Sequence, residues 1–267
     1  MKYWLTVLLT LCLGANQAGA TSSPPHDRAI TQFIANKIFE NECSGKNDNL
    51  TTWNHGENFA SLGIGHFIWY PKHQSVQFHE SFPELLTFMH KKGVHIPHWL
   101  QRNPHNPWAN QKLFYAAKAA HDPEFMALQN FLIATKDMQM AFIIHRFQSA
   151  IPRLIRALPK DQKKTIETMI NDLSSSPNGL YALVDYVNFK GEGLKTSEQY
   201  QGQGWGLLQV LQRMIAINES NHYAPLPSQF SEAASQVLQE RVQHADPKRH
   251  EERWLKGWMN RVHSYKD

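Results

Sequence analysis

Cysteine is almost missing from this chain: two in 267 residues, at positions 12 and 43. Cys12 lies in an N-terminal apolar run and lacks the small residue that precedes a lipidated cysteine, so Cys43 is the one thiol expected in the folded protein. A lone thiol in an exported protein excludes an internal disulfide and a two-cysteine redox site, and leaves stability to packing. Its anionic neighbours Glu40 and Glu42 would raise a thiol pKa, which argues against a nucleophilic thiolate and for a small helix-end residue. Beyond the first 14 residues no apolar run is long enough to cross a bilayer. No dense Lys/Arg cluster interleaved with aromatics points to nucleic acid. The chain holds 15 histidines, yet none is in a closed ligand spacing and no His-Glu-x-x-His occurs, so neither a metal nor a cofactor is expected. Internal repeats, low-complexity tracts and domain-sized linkers are absent too.

What is present begins with Lys2, an apolar stretch from Tyr3 to Gly14, and Ala18-Gly19-Ala20. That is the pattern of a secretory signal peptide cleaved after Ala20, which predicts a periplasmic or secreted protein. Residues 21–267 then form a single, monomeric domain, large enough for one substantial core. The net charge of +4 suits an anionic polymer as partner but decides little.

The opening mature segment, 27–66, reads as a helix and a hairpin. Asp27 is positioned to cap a helix whose Ile30, Phe33, Ile34 and Ile38 recur at helical spacing and which ends near Cys43-Ser44-Gly45. Leu50 to Trp53 and Phe59 to Leu62 are short β-prone pieces separated by Asn54-His55-Gly56-Glu57-Asn58, a hairpin signal. The remainder is helical. Ser81 with Glu84 resembles a capping box for a helix closed by Gly93, and Asp122-Pro123 opens another. A long helix from Met138 to Leu158 is kinked or divided at Pro152, and Lys160 to Leu173 is amphipathic. Ser174 to Gly179 reads as a loop, and helices follow over 180–189, 205–217, 228–244 and 246–265. The fold class is therefore mainly α with a small β-hairpin.

A helix ending in a carboxylate and leading into a hairpin can place that carboxyl at the lip of a cleft, the arrangement glycosidase chemistry needs. Such a site requires one carboxylic acid held protonated by an apolar setting and a second polar group to manage water. Glu42 continues the line Ile30, Ile34, Ile38 at steps of four, whereas Glu40 lies nearer the opposite edge. Glu57 and Ser61, four residues apart, would share a face on an extended strand and could hold a water between them. Gly63 and Gly65 would let the backbone bend or approach a saccharide, with His66 at the hinge as a hydrogen-bonder. Phe67, Trp69 and Tyr70 are candidates for stacking on sugar rings, with a core role the competing reading.

Ser61-Leu62-Gly63-Ile64-Gly65-His66 resembles the hairpin signature of the phage-type lysozymes, with Glu42 falling on the family's acid glutamate and Ser61 on its threonine. The run 182–193, which includes Asn188 and Glu192, is similar to that family's buried helix and Asn-x-x-Gly turn. Residues 207–211 and the basic, tryptophan-containing stretch from Asp246 to Tyr265 resemble the helices after it. These pieces occur in the family's order. The resemblance implies a two-lobed lysozyme-like fold with a helical insertion over about 67–173 and a C-terminal lobe over about 174–267. It implies hydrolysis of the β-1,4 bonds of peptidoglycan with Glu42 as acid; Glu57 and Asp48 are the nearby acids, one of which, with Ser61, would position water. Gly63, Gly65, His66, Trp69, Asn188 and Glu192 would line the substrate.

No aspartate stands at the family's second catalytic position, which opens a second reading, a lysozyme-fold protein that binds glycan without cutting it. A rival site rests on Glu192 followed by Gly204-Trp205-Gly206-Leu207-Leu208-Gln209, which is similar to the signature of soluble lytic transglycosylases. In those enzymes one glutamate is both acid and base.

Overall fold

Ile34 and Ile38 stand one helical turn apart and both are fully buried, so one stripe of the opening helix α1 (Pro25–Cys43) faces the core. The structure, a computed structural model, describes residues 25–75, 78–220 and 223–266. The expected signal peptide and Cys12 lie outside these residues, as does the side chain of Asp27 and its expected cap; the helix itself is already formed at Pro25 and His26. α1 ends in two left-handed residues, Ser44 at φ 50° and Gly45 at φ 66°, while the Ser44 amide donates to the Glu40 carbonyl at 2.9 Å.

A 3-10 turn over Asn47–Leu50 leads into β1 (Thr51–Thr52), β2 (Ala60–Leu62) and β3 (Phe67–Trp69), an antiparallel sheet in that order. Thr52 lies opposite Ser61, and Ser61 opposite Ile68. The expected hairpin is thus the first half of a three-stranded sheet. The third strand hid inside the apolar run Phe67 to Tyr70, because Phe67, Trp69 and Tyr70 are all buried and hydrophobic alternation is lost. The glycines serve the second turn rather than a hinge into the helices. Gly63 takes φ +71°, its carbonyl accepts from the His66 amide at 3.2 Å, and His66 itself is left-handed at φ 47°.

Ten further helices follow among the described residues: α2 (Phe82–Lys91), α3 (His98–Arg102), α4 (Gln111–Ala119), α5 (Pro123–Ala134), α6 (Lys136–Ala157), α7 (Lys160–Ser174), α8 (Pro177–Lys190), α9 (Leu207–Ser220), α10 (Leu226–His244) and α11 (Glu252–His263). Asp122 caps α5 as expected, its Oδ1 accepting from the Glu124 and Phe125 amides. Ser81 does not cap α2. Its hydroxyl instead accepts the Ile68 amide at 3.0 Å and ties the helix start to β3. Pro152 lies inside α6, which runs on unbroken. Pro177 to Gly179, expected in a loop, form the first turn of α8 because the Ser176 hydroxyl accepts the Gly179 amide at 3.1 Å.

One contiguous buried cluster runs from Ile34 through the sheet residues Leu62, Phe67 and Trp69 to Tyr265, so the segment 67–173 shares its core with the rest. No helix among the described residues is long and apolar enough to cross a membrane.

Candidate functional site

Glu42 occupies the last turn of α1, with its side chain 12% exposed. Its Oε1 accepts from Arg261 Nη2 of α11 at 2.7 Å and from Asn188 Nδ2 of α8 at 3.3 Å. Its Oε2 faces His66 Nδ1, in the β2–β3 turn, at 3.3 Å. Four separate regions of the chain therefore meet on one carboxylate.

Each neighbour is held from behind. Asn188 Nδ2 also donates to the Gly65 carbonyl at 3.2 Å, which presses the glycine turn against α8. A Cβ at Gly65 would meet the Phe67 ring at 2.8 Å and Asn188 Oδ1 at 3.1 Å, so glycine is required for that approach. Arg261 clasps the fully buried Asp185 through Nε and Nη2, both at 2.8 Å, and Tyr265 donates its hydroxyl to the same carboxylate at 2.6 Å. The guanidinium of Arg261 also lies 4.1 Å from the Phe189 ring centroid.

The electrostatics differ from the protonated acid that the glycosidase pattern predicts. Burial pushes the Glu42 carboxyl up, but Arg261, His66 and Lys190 together outweigh it and hold the group below its ordinary range. Glu42 is thus ionised at rest. Burial, helped by Arg261 and opposed by Glu42, lowers His66, so the neutral ring with hydrogen on Nδ1 donates to the carboxylate. Its Nε2 lies 3.9 Å from Cys43 Sγ, a thiol that burial and Glu42 push up to about 12. That thiol is inert, in line with the helix-end reading. Lys190 lies 3.4 Å from the Trp258 ring centroid, and burial drives its amine well below the usual lysine range.

A groove of about 800 Å³ lies between α2, α6 and the segment leaving α8, with Phe88, Phe142, His145, Arg146, Arg153 and Glu192 among its walls; Glu42, Gly65, His66 and Asn188 do not line it. Arg146 Nη1 donates to Asn188 Oδ1 at 3.5 Å, so the Asn188 amide stands between Glu42 and the groove.

Of the other residues singled out from the sequence, Asn188, Gly65 and His66 join Glu42. Glu192 lies on the groove wall, where Arg153 grips both carboxylate oxygens, with Nε to Oε2 at 2.9 Å. Its neighbour Gly193 is pinned to the start of α9, Gln209 donating to the Gly193 carbonyl at 3.2 Å while accepting the Gly206 amide at 3.0 Å. The Gly-Trp-Gly-Leu-Leu-Gln stretch therefore braces the segment that carries Glu192. Gly63 sits against Gln139, whose Oε1 accepts the Ile64 amide at 2.8 Å, and shapes the turn alone.

Glu57 and Ser61 do not share a strand face, because β2 begins only at Ala60 and Glu57 belongs to the loop before it. Asn54 Nδ2 donates to the Glu57 carboxylate at 3.1 Å, and Trp53 Nε1 to its backbone carbonyl at 2.8 Å. Burial, opposed by Asn54, raises the Glu57 carboxyl. Among the described residues no hydrogen bond joins Glu57 to Glu42 or Ser61. Ser61 is 4% exposed in the central strand. Asp48 points outward, paired with Lys118 at 3.1 Å. Trp69, proposed to line the substrate, is a core residue with no exposed surface, packed on Phe82 at 5.0 Å between centroids.

Arg261, Asp185 and Arg146 were not singled out from the sequence. Asp185 alone could have been, as one carboxylate in the otherwise uncharged run Leu180 to Phe189. No family model, curated protein or solved structure matches this chain.

Proposed function

We propose that this protein is an exported glycoside hydrolase that cleaves β-1,4 bonds in an amino-sugar polymer of the peptidoglycan type, with Glu42 delivering the proton to the leaving oxygen. One observation carries the reading. Glu42, the Gly65-His66 turn and Asn188 come from three distant stretches that resemble one lysozyme family in order, and all three meet around a single carboxylate that the Asn188–Arg146 hydrogen bond links to a groove of saccharide size.

Glu42 must take up a proton before it can act. Arg261 opposes this at rest, so a glycan that excludes water and loosens the Arg261 hydrogen bond raises the carboxyl toward the pH at which it can donate. The proton then passes from Glu42 to the glycosidic oxygen as that bond to the anomeric carbon breaks. Water bonds to the anomeric carbon and releases its second proton to a base or to solvent. Because the resting pKa is lowered, activity should be highest on the acid side of neutral and fall as pH rises.

A second reading, glycan binding without cleavage, is favoured by that same Arg261 bond, which keeps Glu42 ionised. Incubating residues 21–267 with purified peptidoglycan separates the possibilities. New reducing ends support hydrolysis, 1,6-anhydro ends point to the Glu192 transglycosylase reading, and intact bound strands point to binding alone.

A further inference from the structure

Three carboxylates line the groove with Arg146, and each has a nearer partner of its own. Glu84 pairs with His79 at 2.9 Å, Glu192 with Arg153, and Glu198 with Lys195 at 3.6 Å. None of them forms an ion pair with Arg146. Among the described residues its contacts are the long hydrogen bond to Asn188 and the Phe142 ring, 6.0 Å from its guanidinium carbon. Burial disfavours its charge, and the carboxylates act on it only at a distance. The remaining donors of this partly buried guanidinium open onto the groove, where a ligand with matching acceptors can take them up. A planar fork of N–H groups fits a carboxylate in two parallel hydrogen bonds.

We infer that Arg146 is an anion subsite of the groove that binds a carboxylate borne by the glycan strand. This inference rests on the hydrolase reading and narrows its substrate, since a neutral polymer of N-acetylglucosamine offers Arg146 only uncharged amide and hydroxyl oxygens, a weaker match than a carboxylate. The half-buried ring of Phe88, backed by the buried Phe142, supplies apolar surface for a sugar face. The position also explains the second use of Asn188. Its carbonyl oxygen accepts from Arg146 while its amide nitrogen donates to Glu42, so a strand anchored by its carboxylate lies in register with the reacting group.

The experiment is calorimetric binding to full-length mature protein carrying Glu42→Gln, so that cleavage does not consume the ligand. Three oligosaccharides of equal length serve as probes: neutral N-acetylglucosamine oligomer, peptidoglycan strand with free lactyl carboxylates, and the same strand bearing stem peptides. The acidic strands should bind about tenfold more tightly than the neutral one, the difference one charge-assisted contact provides. Adding Arg146→Gln should erase that preference, lowering affinity for the acidic strands by more than for the neutral oligomer, and Arg146→Lys should restore part of it. A preference for the lactyl form alone assigns the carboxylate to the sugar, and a preference for the peptide form alone assigns it to the stem. Equal binding of all three probes, or equal losses on all three in Arg146→Gln, overturns the subsite and leaves the hydrolase reading standing. No binding of any probe overturns both.

Discussion

Glu42 and Glu57 both leave water, and they do so in opposite surroundings. Glu42 loses solvent among a guanidinium, an imidazole and an amide that all donate to it, so its charge is compensated and its pKa falls. Glu57 loses solvent against one amide, so burial wins and its pKa rises. Burial by itself therefore does not make an acid; the charges that come with it set the sign. The resting charge on Glu42 also differs from the protonated acid that the glycosidase pattern calls for.

The sharpest way to break this contrast is to remove the cation. Arg261→Met leaves Asp185 buried and Glu42 partly buried without their shared partner, and should cost about 3–5 kcal/mol, since breaking a buried ion pair from one side strands the other charge. In a chain of this size that is a fall of roughly 10 °C in Tm, readable by thermal denaturation; a loss under about 1 kcal/mol would mean the cluster is solvated after all. Glu42→Gln should leave the fold intact and lower glycan cleavage by at least ~100-fold, the scale of a lost general acid.

Acidification separates the two carboxylates by sign. Glu42 and His66 both bind protons more weakly when folded, so the unfolded chain takes up protons first and stability falls as pH drops below the ordinary histidine value of 6.5 and then below the ordinary glutamate value of 4.5. His66→Asn should remove the upper part of that loss and Glu42→Gln the lower, measured as Tm against pH. Glu57 has the opposite linkage. Its raised pKa penalises the ionised form, so the penalty appears as pH rises past 4.5 through its folded value and is relieved by acid. The smallest effect follows from this: Glu57→Gln should change stability at pH 7 by less than about 1 kcal/mol, toward greater stability, and leave cleavage within about threefold. A loss comparable with that of Glu42→Gln would instead make Glu57 the water-handling base.

Much of the helical scaffold was legible because its signals are local. The isoleucine steps of α1, the Asp122-Pro123 start of α5 and the amphipathic α7 each follow from neighbours a few residues apart. The bend at Gly63 to Gly65 was legible from its glycines, though as a hinge into the helices rather than as the β2–β3 turn. What escaped was either non-local or masked by burial. Arg261 reaches Glu42 across 219 residues, and no spacing rule encodes that pairing. The third strand lost its alternation to the core, and Ser81 spent its hydroxyl on β3 rather than on its own helix. The Glu57–Ser61 pair failed for a simpler reason, since a four-residue spacing puts side chains on one face only where the backbone is extended throughout, and here it is not.

Reducing ends released from purified peptidoglycan by wild type and by Glu42→Gln, compared at the wild-type pH optimum, test the Glu42 assignment most directly. Release by the wild type and a drop of at least ~100-fold in the variant is the predicted result. Equal release by the two proteins would contradict it, and the clustered Glu42, His66, Asn188 and Arg261 would then be a structural knot rather than a catalytic site.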